Sequence, residues 1–390
     1  MGENPSVPVT LIVEPDPGGH RFQYVRHVVE LARAGGEVVL LTSIGAQQLP
    51  EFENYLADAD ISVVERFEGI YPPTAEMAAA VADLHRAHAV SATLVMDADQ
   101  SLKRWWYVAA RAFRGLSPRP RMIFLLTRYP ATLTIGDRLG WSHRVAKGSL
   151  AVLAMLTRTL SRIVTLAGRD DTSAGALVKR VRDPAICGAH SRDRDAIRTS
   201  LGLSHDRRLV GIFGAISDRK NVPMVTAAVL ASGADADLVL AGGIEPDIAA
   251  WLAAQPATTH ARIIQRDAFL SNDELDRFVA ASDVVMIAQN NNGPSGIMGK
   301  ALAAEVQVLS AGSKVRAREL RLTGGGVDAP LTVEGITAAL RHLLDEPPAA
   351  RTVRSRPQAT AEMFAAGLLG TMSAGTPADV RRALGPKTTP

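Results

Sequence analysis

The segment AASDVVMIAQNNNGPSGIMGKALAAEVQVLS, Ala280–Ser310, decides how this chain folds. Val284–Ala288 is a short apolar run of strand type, and Asn290–Gly296 is a run of turn formers. Ile297–Ala304 then spaces its apolar residues as a helix, and Val306–Leu309 is a second buried strand. A helix that opens out of Gly-Pro-Ser-Gly points unpaired backbone N–H groups into the turn. That end carries a partial positive charge and suits a phosphate. An ordinary βαβ connection would look the same, so partners elsewhere in the chain must decide.

Working outward, the N-terminal half repeats the pattern. Val9–Glu14 reads as a buried strand, Pro15–His20 (PDPGGH) as a loop, Phe22–Ala34 as a helix and Val38–Thr42 as the next strand. Such a β–loop–α–β unit requires a parallel sheet with a right-handed crossover. Gly18 and Gly19 would permit close backbone approach by a ligand, and His20 could meet a phosphate or a sugar hydroxyl. A tight turn with a surface histidine is the plainer reading. No G-x-G-x-x-G occurs here, so the dinucleotide fingerprint is missing.

The alternation continues through Ile61–Glu65 (strand), Thr74–Ala87 (helix) and Ala92–Met96 (strand), which ends in Asp97-Ala98-Asp99. Asp-x-Asp after a strand can hold a metal on a diphosphate. Placement of Asp97 or Asp99 near a reacting sugar at the sheet's carboxyl edge is the better reading. Met122–Thr127, Gly148–Leu160, Ile163–Leu166 and Thr172–Lys179 follow as strand, helix, strand and short helix. Across Lys103–Lys147 ten cations meet a single carboxylate, Asp137, with Trp105, Trp106, Tyr107, Phe113 and Trp141 interleaved. This could dock an anionic acceptor or a membrane surface; a solvated arginine-rich face is the blander explanation.

Residues 1–182 thus form one domain, and the polar span 183–192, opened by Asp183-Pro184, is a hinge. Residues 193–345 begin a new sheet: Asp195–Leu201 is a helix, and Arg208–Phe213 is a strand running into Gly214 and the cation pair Arg219-Lys220. Two cations at the carboxyl end of a first strand are well placed to neutralise a diphosphate leaving group. Val222–Leu230, Leu238–Ala241, Ala261–Ile264 and the capped helix Asp273–Ala280 lead back to the opening segment. Leu331–Leu344 is a late helix, and the tail 346–390 holds one more helical segment, Ala359–Leu369.

Composition sets outer limits. With 390 residues, 47% hydrophobic and 21% charged, two globular domains of ordinary size are expected. A formal net charge of +3 is too weak to argue for nucleic acid. Cys187 is the only cysteine, which excludes an internal disulfide and a cysteine metal cluster. The first residues carry no signal-peptide pattern and no run reaches the length of a membrane span. A cytoplasmic protein is the expectation.

Together the β-GGH-α unit, the hinge at Asp183-Pro184, FGAISDRKNV, DLVLAGG, LSNDELDRFVAASDVVMIA and PSGIMGKALAAEVQVLSAG resemble the retaining nucleotide-sugar glycosyltransferases of family four. The match is specific from about Leu209 to Ser313. The resemblance implies a GT-B fold: α/β, two Rossmann-like doubly wound parallel-sheet domains facing across a cleft. It implies an acceptor-side N-terminal domain, a donor-side C-terminal domain and a tail helix that packs back on the first domain. The donor, an NDP-sugar acting as co-substrate with no other cofactor and no metal, would meet Lys220 and Arg219 and the amides of Ser295, Gly296 and Ile297. Its nucleobase would pack near Arg266 and Asp267, with Gly214 making the turn and Gly18-Gly19 meeting the donor from the first domain. His20, Asp97 and Asp99 would face acceptor and sugar, and Lys300 would add a cation at the phosphates. UDP is the first expectation for the nucleotide and GDP the second; acceptor identity and oligomeric state are open.

Three departures qualify the resemblance. The family's Glu-x7-Glu reads Asn292 and Lys300 here, a second basic position of its turn is Ala215, and an N-domain histidine is replaced by Thr127 or Arg128. Lys300 can only donate where a glutamate would accept from ribose. A GT-B nucleotide-sugar epimerase and a non-catalytic nucleotide-sugar-binding protein are therefore the alternatives. A hydride-transfer Rossmann enzyme is disfavoured by the missing fingerprint.

Overall fold

A computed structural model describes residues 7–19, 21–130, 133, 138–169, 175–290, 295–345 and 359–371. The described residues fall into two compact units. One takes those within Met1–Ala167, Thr172–Arg182 and Ala361–Pro390; the other takes those within Gly168–Asp171 and Asp183–Thr360.

The first unit is built on seven strands: β1 (Val9–Val13), β2 (Glu37–Ser43), β3 (Ser62–Phe67), β4 (Val90–Val95), β5 (Met122–Leu126), β6 (Arg162–Ala167) and β7 (Lys179–Arg182). Their order is β3-β2-β1-β4-β5-β6-β7, parallel throughout. β1 and β5 are buried at every residue because helices cover both faces, which is why their sequences are continuous rather than alternating apolar runs. On one face Trp105 is fully buried, edge-on to Phe113 and Phe124, with its indole N–H donated to the Thr159 carbonyl at 2.8 Å. On the other, the helix Ala361–Leu369 packs along helix Arg21–Ala32, with Phe364 against Tyr24 at 5.3 Å. Arg121 and Arg162 donate to the carbonyls of Leu369 and Gly367 and hold that helix in place.

One expectation fails locally. The described part of Thr172–Lys179 is not helical: 175–178 bend, and Lys179 begins β7. Gly175 sits at φ +69°, and Val181 turns inward to the close approach of Gly367. The helix expected at Gly148–Leu160 is instead the longer Arg138–Leu156.

The second unit has six strands: β8 (Arg208–Phe213), β9 (Ala236–Ala241), β10 (Ile263–Arg266), β11 (Val284–Ala288), β12 (Gln307–Ala311) and β13 (Gly326–Ala329). Their order is β10-β9-β8-β11-β12-β13, again all parallel. Asp283, buried just ahead of β11, pins the amino-terminal side of this sheet. It accepts from the Leu209 amide at 2.9 Å and pairs with Arg194, Arg198 and Arg208. Burial would raise its carboxyl, but these cations and the amide outweigh it and hold the group below the usual carboxylate range.

Both sheets reverse direction once, between β1 and β4 in the first and between β8 and β11 in the second. In open α/β sheets ligands gather outside the carboxyl ends of the strands at such points. Among the described residues no helix is long and apolar enough to cross a membrane.

Candidate functional site

At the reversal point of the second sheet, β8 ends in Phe213 and the chain turns at Gly214, whose φ of +80° favours glycine. Gly242 packs onto that turn so closely that a side chain there would lie 2.2 Å from the Gly214 carbonyl oxygen. Asp218–Lys220 form one 3-10 turn, and Asn221 follows in the left-handed region at φ +50° before the helix Val222–Ala231, which carries Pro223 in its first turn. The Asn221 amide donates to the Ala288 carbonyl at 2.8 Å, tying this turn to the end of β11. Lys220 folds its ammonium back onto the Phe213 carbonyl. Burial first, and the neighbouring Arg219 charge second, lower the lysine to about 8. Arg219 itself is exposed.

Beyond β11 the chain re-emerges at Ser295, which caps the helix Gly296–Ala303 by accepting from the Met298 amide at 3.3 Å. The first helical bond, Gly299 N–H to the Ser295 carbonyl, leaves the amides of Gly296 and Ile297 ahead of it. Gly214 and Lys220 thus follow β8, and Ser295, Gly296 and Ile297 follow β11, the strand next to it. Asn292 lies outside the described residues. Arg266 and Asp267 stand at the end of β10, two strands away; Arg266 is exposed beside Glu274 at 3.4 Å, and Asp267 accepts the Ile244 amide at 2.8 Å. Lys300 points elsewhere. It is 6% exposed, 2.5 Å from Asp276 and 2.7 Å from the Asn272 side-chain oxygen. Asp276 also accepts the Gly188 amide at 2.7 Å, so this lysine joins two helices and a connecting segment.

Arg169 is what the sequence did not single out. It is 2% exposed, and its guanidinium ion-pairs with Asp183 and meets Glu319 at 3.4 Å. It also donates to the Ser295 carbonyl at 2.9 Å, the same carbonyl that starts the helix. Gly299 makes room for it: a side chain there would come within 2.4 Å of the guanidinium. In the helix Lys314–Thr323 that follows β12, buried Arg316 donates to the Gln289 carbonyl at 2.6 Å and the Ser310 hydroxyl at 3.0 Å, fixing the end of β11; burial lowers it to about 10.

The carboxyl edge of the first sheet is rich in carboxylates. Arg21, at the first position of its helix, lies 2.7 Å from Asp97, 3.1 Å from Asp16 and 3.7 Å from Glu14. Asp97 also accepts the Thr127 hydroxyl at 2.8 Å. Asp99 accepts the amides of Thr127 and Arg128 at 2.8 and 3.0 Å and holds Lys147 at 2.5 Å. The two aspartates thus fasten the end of β5. In the loop, Gly18 donates its amide to Asp16, and Gly19 turns at φ +67° with open space about it. His20 lies outside the described residues. Among those residues no group of three or more His, Cys, Asp or Glu is arranged to hold a metal ion.

Glu14 is the unusual member. Burial, partly offset by Arg21, raises its carboxyl to about 8, so the folded protein keeps it protonated at neutral pH. A carboxyl raised on folding costs stability as pH climbs from its unfolded value towards 8. Glu14→Gln is therefore expected to gain stability over the parent at pH 8 and to gain less at pH 5, in urea melts at the two pH values. Equal differences at both would show that Glu14 ionises normally.

No protein-family model matches the chain, and no curated protein matches it. Solved structures do. Sucrose-phosphate synthase from Thermosynechococcus elongatus superposes with a TM-score of 0.65 at 15% identity, over 93% of this chain and 97% of that one. The chain has the GT-B fold. Anabaena HepE, solved in complex with UDP-glucose, gives 0.64 at 15% identity over 94% and 100% of the two chains. WaaG, a glycosyltransferase involved in lipopolysaccharide biosynthesis, gives 0.58 at 15% over 93% and 100%. At such identity the likeness speaks for the GT-B architecture, and the chemistry must be argued from this chain's own residues.

Proposed function

We propose that this GT-B chain is a glycosyltransferase that moves a sugar from a nucleoside diphosphate sugar to an acceptor hydroxyl, with retention at the anomeric carbon and without a metal ion. The observation that carries the reading is the pairing, on adjacent strand ends, of the Gly214–Asn221 turn with the start of helix Gly296–Ala303. A departing diphosphate needs positive charge and amide donors fixed in advance, and such preorganised groups commonly supply the largest share of catalysis. Lys220 and Arg219 provide the charge; the Gly296 and Ile297 amides, at the positive end of a helix, provide the donors. The bond from the anomeric carbon to the diphosphate oxygen breaks and leaves its electron pair on the phosphate. The acceptor oxygen bonds to the same carbon and passes its proton to the departing phosphate. Asp97, Asp99 and His20 are assigned to the acceptor and sugar, Gly18-Gly19 to the donor, and Arg266 with Asp267 to the nucleobase. Lys300 is assigned an indirect part, holding the donor helix to Asp276.

UDP is the proposed donor nucleotide, with GDP next; the Anabaena neighbour solved with UDP-glucose supports that order. A thermal-shift series with UDP, GDP, ADP and TDP tests it, since a ligand at a hundredfold its Kd stabilises by about 2.7 kcal/mol. UDP is expected to give the largest shift. No shift with any of the four would sink the reading, and incubation with UDP-sugar that yields only a rearranged free sugar would replace transfer by epimerisation.

A further inference from the structure

On the outer side of the first unit, helix Arg138–Leu156 turns a line of apolar side chains to solvent. Trp141, Val145, Val152 and Leu156 are 54, 62, 42 and 75% exposed. Their spacing of four, seven and four residues places them on one stripe about 22 Å long. The opposite side of the same helix is closed by the small buried residues Gly140, Ala151 and Ala154, so the helix is already packed and the stripe is surplus. Helix Leu102–Ala112 lies against it, burying Leu102, Trp105 and Ala109 while exposing Lys103, Arg104, Tyr107 and Arg111. Arg114 is exposed just past its end.

Neither helix contains a carboxylate. Among the described residues no carboxylate pairs with Lys103, Arg104, Arg111, Arg114, Arg138 or Arg144, whereas Lys147 turns in to Asp99. A helix meant to face water carries its charges on the outward stripe. Here the exposed side carries the apolar line Trp141, Val145, Val152 and Leu156 beside Ser142 and Ser149, with no acid, and cations border it.

We infer that this face docks on the surface of an anionic lipid bilayer. An apolar line of that length, with a tryptophan at one end, can enter the boundary between headgroups and acyl chains, while flanking lysines and arginines meet lipid phosphates. A second copy of the chain fits less well. A two-fold interface would set the same unpaired cations against one another. The inference does not depend on glycosyl transfer.

The test is sedimentation of the full chain with phosphatidylcholine vesicles, with and without phosphatidylglycerol, at low and high salt. Binding is expected only with the anionic lipid and is expected to weaken as salt rises. Trp141→Ser/Leu156→Ser and, separately, Arg104→Glu/Arg111→Glu are each expected to lower the partition coefficient by about tenfold or more. All four positions are exposed, so thermal unfolding should be unchanged, and that control is run alongside. Failure to sediment with either vesicle, or full binding by both double variants, overturns the inference. So does a dimer that Trp141→Ser/Leu156→Ser dissolves without any vesicle binding, which would make the face a contact between copies.

Discussion

Replacing Lys220 by alanine is expected to reduce sugar transfer by about a hundredfold or more while the fold stays intact, the loss typical when one preorganised donor to a developing anion is removed. The ammonium sits on the Phe213 carbonyl at the end of β8, where the leaving phosphates are proposed to lie. Its loss removes one hydrogen bond to the carbonyl of buried Phe213, at a cost of about 1–3 kcal/mol, which a two-domain fold tolerates. Arg219→Ala should cost less, because an exposed guanidinium is screened and can be replaced by water. The pH dependence follows from the same burial. Lys220 titrates near 8 in the free protein, so its charge is present below that value and fades above it. Nucleotide affinity is therefore expected to weaken as pH rises through 8, and Lys220→Arg to bind without that decline. Titration calorimetry at pH 7 and pH 9 reads both effects. Full turnover by Lys220→Ala would remove the residue from the mechanism.

The sequence displayed most clearly what local periodicity controls. Thr74–Ala87, Arg208–Phe213 and Val284–Ala288 have the limits their apolar spacing implies, and Ser271 with Glu274 forms the reciprocal cap that the Ser-x-x-Glu spacing anticipates. A continuous buried run or a cap is decided by residues within one turn of each other. Lys300 is not decided that way. Its partner, Asp276, sits 24 positions earlier on another helix, and in the linear chain a lysine after Gly-Ile-Met-Gly reads as one more cation at a phosphate. Helix Arg138–Leu156 was only half legible for a different reason: with apolar residues on its outward stripe, the usual contrast between faces is blurred and its first ten residues read as a basic stretch. β7 escaped because Lys179-Arg180-Val181-Arg182 has one apolar residue, and its place at the sheet edge is fixed by packing against a helix nearly two hundred positions on.

Arg169 was invisible for the same physical reason, and it carries the largest expected effect on stability. Its partners lie 14, 126 and 150 positions away, so nothing near Gly168-Arg169 in the chain signals burial. Arg169→Ala leaves the buried carboxylates of Asp183 and Glu319 without their shared cation. Breaking a buried ion pair from one side typically costs about 3–5 kcal/mol, and a loss of that size is expected in urea unfolding of the second unit. Gly299→Ala sharpens the test because two effects oppose. In a helix interior alanine is favoured over glycine by about 1 kcal/mol. At this position, however, the new methyl would meet the guanidinium at 2.4–2.7 Å, and overpacking of a filled site costs about 1–3 kcal/mol. The clash is expected to win, with the helix start displaced through the Ser295 carbonyl and transfer falling further than stability alone accounts for. Because both changes act on one contact, the double variant should lose less than the sum of the singles. Additive losses would mean that Gly299 accommodates a side chain without moving Arg169, and the arginine would then be a support for Asp183 and Glu319 rather than for the donor helix.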